Sequence, residues 1–238
     1  YSCLLTPQGK FIADFFIFMK NEKYIIEIHS FFYENLFNKL ILYKLRSKVL
    51  INEIKNLNSY SIFGELNNNS DFIIFCTDPR NKKIGSKLIC ELKKPEILNN
   101  FIEIDEKKYH EILIQNTVPL SHYDLIENKS LLLENNFENL NAISWDKGCY
   151  VGQELTARMK YRALLKKRIY SLIVKEGIPQ IEQSIKDDEN NYGKIINVEN
   201  NFILAMLNIE LAESKINEQQ KIKTNDGLVL EFIVKKFL

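Results

Sequence analysis

The segment Trp145–Arg158, with the sequence WDKGCYVGQELTAR, concentrates residues that are suited to chemistry. Cys149 stands between Gly148 and Gly152 and follows Lys147 by two residues. The residues after Gly152 favour a helix, so Cys149 is predicted to lie just before a helix N-terminus. A helix N-terminus and a nearby ammonium group both stabilise a thiolate. The pattern therefore indicates a reactive thiol beside a ligand pocket, with a small buried cysteine in a glycine-bounded turn as the structural alternative.

The predicted helix after Gly152 carries Gln153, Glu154 and Arg158 on its first turns. Glu154 and Arg158 are one helical turn apart, so their side chains can form an ion pair on one face of the helix. A pair of this kind stabilises an exposed helix by roughly 0.3–0.5 kcal/mol.

The remaining cysteines and the histidines show no spacing that predicts a metal site. Cys3, Cys76 and Cys90 are scattered, with no C-x-x-C pattern and no histidine at zinc-ligand spacing. A disulfide framework is not expected in a chain of this size without a secretion signal, so the thiols are predicted to be reduced. We predict no metal site and expect the dispersed histidines to be structural. These are His29, His110 and His122.

Composition and charge exclude several classes of partner. The chain has 238 residues, of which 45% are hydrophobic and 26% charged, as expected of a globular protein with a sizeable core. The formal net charge is +1, so direct nucleic-acid binding is not predicted, and the basic run Lys166–Arg168 is expected to be a solvated linker. No apolar run is long enough to predict a membrane span. Because the sequence begins at Tyr1, without an initiator methionine or a signal-peptide pattern, we expect a segment upstream.

The first part of the chain alternates β-rich runs with helical patterns. Phe11–Phe18 and Lys23–His29 predict a hairpin, and Ser30 is predicted to cap the helix that follows. A second helix is predicted over Asp105–Gln115. Strands clustered around a few helices indicate an α+β fold rather than a doubly wound parallel sheet. Further strands are predicted at Val49–Ile54, Tyr60–Leu66 and Asp71–Thr77.

The pattern changes after Lys166, where short apolar runs are joined by polar turns. The runs RIYSLIV, GKIINV, FILAMLNI and LVLEFIVKKF each predict a strand, and Asn225–Gly227 predicts a turn. Only Glu210–Ser214, with the sequence ELAES, has helical character. This pattern predicts a small β-barrel or sandwich. We therefore divide the chain into residues 1–165 and 166–238.

The motif KGCYVGQE, Lys147–Glu154, resembles the signature of the YgfZ/GcvT-like folate-binding proteins. The resemblance extends over most of the chain, through the runs LTPQGKFIADFFIF, TDPRNKKIGSKLI, YHEILIQNTVP and ARMKYRALLKKR. It implies a GcvT-like folate-binding fold, with a ferredoxin-like mixed N-terminal region and a small C-terminal β-barrel. It also implies a cytoplasmic protein if the source is bacterial, or a mitochondrial-matrix protein if it is eukaryotic.

The resemblance implies a tetrahydrofolate-binding accessory protein for iron–sulfur cluster assembly or repair, which would support tRNA modification indirectly. Tetrahydrofolate or a derivative is the expected cofactor, and iron–sulfur client or assembly proteins are the expected partners. Tyr109 falls where relatives place an aromatic residue against the folate, and Glu134 could accept hydrogen bonds from a pterin amino group. Cys149 is the candidate catalytic residue, with Lys147 in support. The other candidate folate-binding residues are Gln153, Glu154 and Arg158.

Two alternative functions remain open from the sequence. The first is an aminomethyltransferase of the glycine cleavage type, which moves a one-carbon unit to tetrahydrofolate. Two features argue against it. Gln115 stands where those enzymes usually carry a glutamate that contacts the folate, and the KGCYVGQE segment is the signature of the other group. The second alternative is a non-catalytic module that docks onto iron–sulfur enzymes without folate. Whether the protein is an enzyme is left open.

Overall fold

The computed structural model describes residues 1–67, 72–91 and 95–233.

The first sheet has three antiparallel strands, which pair in the order of the chain. The strands are β1 (Ser2–Leu5), β2 (Phe11–Lys20) and β3 (Lys23–Ile28). Asn21 and Glu22 join β2 to β3 with φ angles of 48° and 61°, the left-handed conformation that a two-residue type I′ hairpin requires. The predicted hairpin is confirmed.

The helix after this hairpin, α1 (Ser30–Lys44), begins one residue earlier than the cap assignment predicted. Its N-cap is His29, whose Nδ1 accepts a hydrogen bond from the Phe31 backbone N–H at 3.2 Å. The prediction that Ser30 is the cap was therefore wrong. An imidazole with a free ring nitrogen supplies the same acceptor that a serine hydroxyl would supply.

A second antiparallel sheet, in the order β4-β6-β5, follows α1. The predicted strand at Val49–Ile54 is wrong, because this segment has no strand partner and Leu50 is 87% exposed. The strand predicted over Tyr60–Leu66 is shorter and shifted, and Asp71 lies outside the described residues. The strands are β4 (Asn58–Ile62), β5 (Phe72–Thr77) and β6 (Ser86–Cys90).

In the described residues, a 3-10 helix at Glu96–Asn100, three α-helices and a long run of turns connect this sheet to the C-terminal part of the chain. Asp105 precedes the first α-helix and caps it by accepting the Lys108 backbone N–H at 2.8 Å, which confirms the helix predicted there. The turns between the second and third α-helices pair with β2, since the Phe11 N–H donates to the Ser130 carbonyl at 2.9 Å. The α-helices are α2 (Glu106–Gln115), α3 (Ser121–Asp124) and α4 (Gln153–Tyr161).

The C-terminal part forms a six-stranded antiparallel sheet in the order β11-β12-β7-β10-β9-β8. This sheet is nearly closed, because the Asn225 N–H beside β11 donates to the Lys186 carbonyl of β8 at 3.1 Å. The strand predicted at LVLEFIVKKF is described only as far as Phe232. The elements are β7 (Lys167–Glu176), β8 (Ser184–Lys186), β9 (Asn191–Glu199), β10 (Phe202–Asn208), α5 (Ile209–Asn217), β11 (Ile222–Lys223) and β12 (Val229–Phe232).

The nearly closed sheet encloses its own core, and α5 packs against that core through Ala212. Tyr170, Tyr192 and Ile195 are among its buried residues. The prediction of an α+β protein with a small C-terminal β-barrel is confirmed at this level of detail. The division of the chain at residues 165 and 166 stays a prediction.

Helix α2 packs on the outside of this barrel through a buried polar network. The His110 ring lies between two carboxylates, with Nε2 3.1 Å from Asp124 Oδ2 and Nδ1 3.3 Å from Glu199 Oε1. Asn197 of β9 donates to Asp124 Oδ1 at 2.6 Å. Burial alone would lower the pKa of His110, but the hydrogen bond and charge of Asp124, together with Glu199, raise it. The network therefore favours a protonated His110 that bridges the two parts of the chain.

None of the helices within the described ranges combines the length and the apolar character that a membrane crossing requires.

Candidate functional site

The Cys149 turn leads directly into α4, as the sequence predicts. Gly152 is the N-cap residue, with φ 85° and ψ 2°, a left-handed conformation that glycine adopts readily. Gln153 closes the turn in two ways. Its backbone N–H donates to the Tyr150 carbonyl at 3.2 Å, and its side-chain Oε1 accepts the Tyr150 N–H at 3.4 Å. The structure thus places the side chain of Gln153 in the turn itself.

Gly9, a glycine that the sequence analysis did not identify, lies against Gly152 and fixes the position of the turn. A Cβ atom on Gly152 would lie 2.6 Å from the Thr6 carbonyl oxygen and 2.9 Å from the Gly9 Cα. Conversely, a Cβ atom on Gly9 would lie 2.6 Å from the Gly152 carbonyl oxygen. Both separations are too short for a carbon atom, so the turn before β2 and the Cys149 turn approach each other at a distance that only two glycines permit.

Cys149 is exposed on this turn, and Lys147 lies over a neighbouring ring. The Lys147 ammonium is 4.6 Å from the centre of the Tyr150 ring, within the range of a cation–π interaction. Tyr150 itself packs against the core beneath the first sheet, and burial raises the pKa of its phenol. The structure therefore leaves the Cys149 thiol accessible and holds the Lys147 ammonium over the ring of Tyr150.

The other three cysteines are less accessible than Cys149. Cys90 is fully buried. Burial and the nearby Asp14 carboxylate raise the pKa of Cys3 to about 12, although Lys147 acts in the opposite direction. Burial and the Asp78 carboxylate also raise the pKa of Cys76. All four cysteines are free, so Cys149 is the thiol best placed to meet a partner.

Helix α4 carries the predicted ion pair on its exposed face. Arg158 Nη1 lies 3.4 Å from Glu154 Oε1, and both side chains are largely in solvent. At the other end of the motif, the indole N–H of Trp145 donates to Glu138 Oε1 at 3.0 Å. Lys160 of α4 also pairs with Glu138. Trp145 and α4 are therefore joined through one carboxylate, and this limits the movement of the Cys149 turn at both ends.

Tyr109 lies on α2 beside a buried arginine that the sequence analysis did not single out. Arg80 Nη2 donates to the Tyr109 hydroxyl oxygen at 3.0 Å. The same guanidinium binds Asp78 with both arms, through Nε at 3.1 Å and Nη2 at 2.8 Å. Although burial alone would lower the pKa of Arg80, Tyr109 and Asp78 raise it. The acidic and basic residues of the DPR run, Asp78 and Arg80, were the sequence signal from which this ion pair could have been predicted.

Aromatic rings connect this buried arginine to the Cys149 turn. The Arg80 guanidinium carbon is 5.1 Å from the Phe16 ring centre and 5.7 Å from that of Tyr1. Tyr1 packs with the cluster that contains Tyr150 and also with the cluster that contains Tyr109. Its hydroxyl donates to Asp14 Oδ2 at 2.6 Å. Tyr1 therefore bridges the surroundings of Tyr109 and those of Cys149.

Glu134 lies beside β7, the first strand of the barrel. Its Oε2 is 3.6 Å from Lys167 Nζ, and its backbone carbonyl accepts the Ile169 N–H at 2.8 Å. Burial raises the pKa of Glu134, while Lys167 acts in the opposite direction. Of the predicted site residues, the structure brings Lys147, Cys149 and Gln153 into one turn. Tyr109 and Glu134 have other neighbours, Arg80 and Lys167.

These features define a class of protein, a mixed α+β chain with a nearly closed C-terminal barrel and one exposed cysteine on a glycine-braced turn. No family model matches the chain. A search of curated proteins finds homologues, and all of those described below are named as mitochondrial iron–sulfur cluster assembly factors of the IBA57 type.

The relatives come from distant eukaryotes. The chain is 31% identical to an IBA57 homologue of Mycosarcoma maydis and 28% identical to one of Dictyostelium discoideum, and it covers 45% of each. It is 26% identical to IBA57 of Mus musculus and covers 54% of that protein. These alignments include 72%, 71% and 75% of the present chain, respectively. The chain thus spans about half the length of the curated relatives it matches.

The homology confirms the resemblance to the YgfZ-like, GcvT-related family that the KGCYVGQE motif carries. The relatives are mitochondrial by name, in agreement with the matrix location predicted for a eukaryotic protein. The cytoplasmic location belongs to the bacterial case, and these relatives give it no support.

Proposed function

We propose that this protein acts in iron–sulfur cluster assembly or repair as a tetrahydrofolate-binding accessory factor, with Cys149 as its functional thiol. The observation that carries the proposal is the exposure of Cys149 on a turn that Gly9, Gly152 and Gln153 hold in place. The names of the relatives support the role in cluster assembly. Support for tRNA modification would then be indirect, through the iron–sulfur enzymes that carry it out.

The accessibility of the four thiols favours a helper protein over a protein that carries a cluster by itself. Iron–sulfur clusters are commonly held by four cysteine thiolates. Here Cys90 is fully buried, and the pKa values of Cys3 and Cys76 are raised by burial. One exposed thiol can contribute a ligand or a nucleophile, while a client or assembly protein would supply the others.

The folate part of the proposal is supported by the chemistry of two predicted site residues, Tyr109 and Glu134. The Tyr109 hydroxyl is held by Arg80, which fixes the orientation of a ring that could stack on the ligand. The Glu134 side chain is 15% exposed, and its Oε2 is 3.6 Å from Lys167 Nζ. At that separation the carboxylate retains the capacity to accept hydrogen bonds from a two-donor edge. Tetrahydrofolate, when bound, supplies a pterin that carries one-carbon units. A GcvT-like arrangement of residues 1–165 and 166–238 is part of the same proposal.

The central test is complementation of cells that lack their own homologue of this protein. Cys149→Ala and Cys149→Ser should melt within a few degrees of the parent chain, because the side chain is exposed, and both should fail to restore iron–sulfur enzyme activity. Cys76→Ser serves as the matched thiol control and should complement. Full complementation by Cys149→Ala at normal expression would remove the functional thiol from the proposal.

Folate is tested separately by calorimetry with tetrahydrofolate. Tyr109→Ala and Glu134→Gln should weaken binding, whereas Glu210→Gln, at an exposed position of α5, should not. Failure of the parent chain to bind tetrahydrofolate would favour the docking module that needs no folate. Formation of methylene-tetrahydrofolate from a lipoyl carrier protein would favour the aminomethyltransferase instead.

A further inference from the structure

Two histidines that are far apart in the sequence meet in the fold. His29 lies between β3 and α1, and His122 lies on α3. Their imidazole rings are stacked, with centroids 3.8 Å apart and planes inclined by 11°. His122 is mostly buried, whereas His29 is exposed. The fold therefore places two potential nitrogen ligands side by side, one on a mostly buried ring and one on an exposed ring.

Glu106, the first residue of α2, completes the group. Its Oε1 lies 3.4 Å from His122 Nε2, and one potential ligand atom from each of the three residues lies within 4.8 Å of the other two. A tetrahedral zinc ion with ligands at about 2.0–2.1 Å separates neighbouring ligand atoms by about 3.3–3.4 Å. The Glu106–His122 distance therefore already matches one edge of such a site.

We propose that His29, Glu106 and His122 form a binding site for one divalent transition-metal ion, such as zinc or ferrous iron. Two imidazoles and one carboxylate are a ligand set that both ions accept, with the remaining positions open to water or to a further ligand. The sequence analysis predicted no metal site, because only the fold brings these three residues together.

Metal binding and helix capping compete for the His29 ring. Its Nδ1 accepts the Phe31 N–H at 3.2 Å. If Nδ1 binds the ion, its lone pair is no longer available. If Nε2 binds the ion, Nδ1 carries the proton and cannot accept. The ring must also turn, because the lone pairs of parallel rings lie in parallel planes and do not converge on one ion. Since His29 is exposed, it is the ring that turns.

Zinc titration of the chelator-treated protein tests the site. The Cys149→Ser background removes the exposed thiol as a competing ligand. We expect one zinc ion per chain, and we expect His122→Ala and Glu106→Gln to weaken its affinity by at least about tenfold, the lower end of the loss seen when even outer-sphere partners of a metal are removed. Glu103→Gln is the matched carboxylate control and should bind zinc as the parent does.

His29→Asn provides a variant that separates the two roles of His29, because asparagine is a good N-cap residue but does not replace the imidazole. It should keep the melting temperature and lose zinc affinity. In the Cys149→Ser background, zinc should speed hydrogen exchange at the Phe31 amide, and cobalt should give visible absorption that His122→Ala removes. Unchanged zinc affinity in a His29→Asn/His122→Ala double variant would overturn the proposal, as would zinc binding that disappears in Cys149→Ser alone.

Discussion

The close approach of Gly9 and Gly152 gives a quantitative prediction for Gly152→Ala. At φ 85°, an alanine costs about 1–2 kcal/mol relative to its preferred conformations. Its Cβ would also lie 2.6 Å from the Thr6 oxygen, so the two turns would have to separate. Overpacking of this kind costs about 1–3 kcal/mol. The free energy of unfolding should therefore fall by about 2–5 kcal/mol.

The chain contains controls for both parts of this loss. Gly227 has φ 86°, and a Cβ there would meet nothing within 4 Å. Gly227→Ala therefore carries only the conformational part. Gly148 has open space for a Cβ and no positive φ, so Gly148→Ala should have little effect. Urea unfolding followed by tryptophan fluorescence at Trp145, and by circular dichroism for the barrel, measures each loss.

Gly9→Ala tests whether the two turns act as one contact. Its Cβ would lie 2.6 Å from the Gly152 carbonyl oxygen, so this variant should separate the same two turns. Once they are apart, the second alanine adds little steric cost, and the Gly9→Ala/Gly152→Ala loss should be smaller than the sum of the single losses. A Gly152→Ala loss no larger than that of Gly227→Ala would refute this reasoning, and so would strict additivity in the double variant.

Three further predictions follow from the site and its surroundings. Iodoacetamide at neutral pH, read by mass spectrometry, should label Cys149 faster than Cys3, Cys76 or Cys90, because Cys149 alone of the four is exposed; faster labelling of any other cysteine would contradict this. Because the pKa of His110 is raised in the folded state, protonated His110 stabilises the fold fully at pH values below 6.5, and this stabilisation is lost as the pH rises through the raised pKa. The free energy of unfolding should therefore decline above pH 6.5 in the parent but not in His110→Gln. Equal pH profiles of the two proteins in urea unfolding would argue against the His110 network. A double-mutant cycle of Glu154→Gln and Arg158→Gln should give a coupling of only about 0.3–0.5 kcal/mol, and a coupling above about 1 kcal/mol would mean that the pair is less solvated than it is in the structure.

Local sequence signals predicted the elements whose causes are local. The β2–β3 hairpin follows from a two-residue turn, α2 follows from the Asp105 cap, and α4 begins after Gly152 as expected. Val49–Ile54 has a strand-like composition, but a strand also needs a partner and a buried face. The structure gives this segment neither, and its apolar side chains lie largely in solvent.

The contacts that define the site depend on the fold as a whole, and for this reason the sequence did not disclose them. Gly9 is an ordinary turn glycine until Gly152 is placed against it. His29 and His122 have no motif spacing, and they meet only because the end of β3 reaches α3. The exposure of Cys149 likewise could not be predicted, since the sequence was equally compatible with a buried turn. The folate-binding roles of Tyr109 and Glu134 stay predictions.

The two candidate sites differ in the chemistry they offer to iron. Cys149 presents a soft sulfur ligand, which suits an iron–sulfur cluster, whereas His29, Glu106 and His122 present nitrogen and oxygen, which suit a single divalent ion. A cluster on Cys149 needs further sulfur ligands from a partner, because the other three thiols are less accessible. The histidine site needs no partner, since all three ligands come from this chain. Sulfur chemistry should therefore depend on complex formation, and binding of a single ion should not.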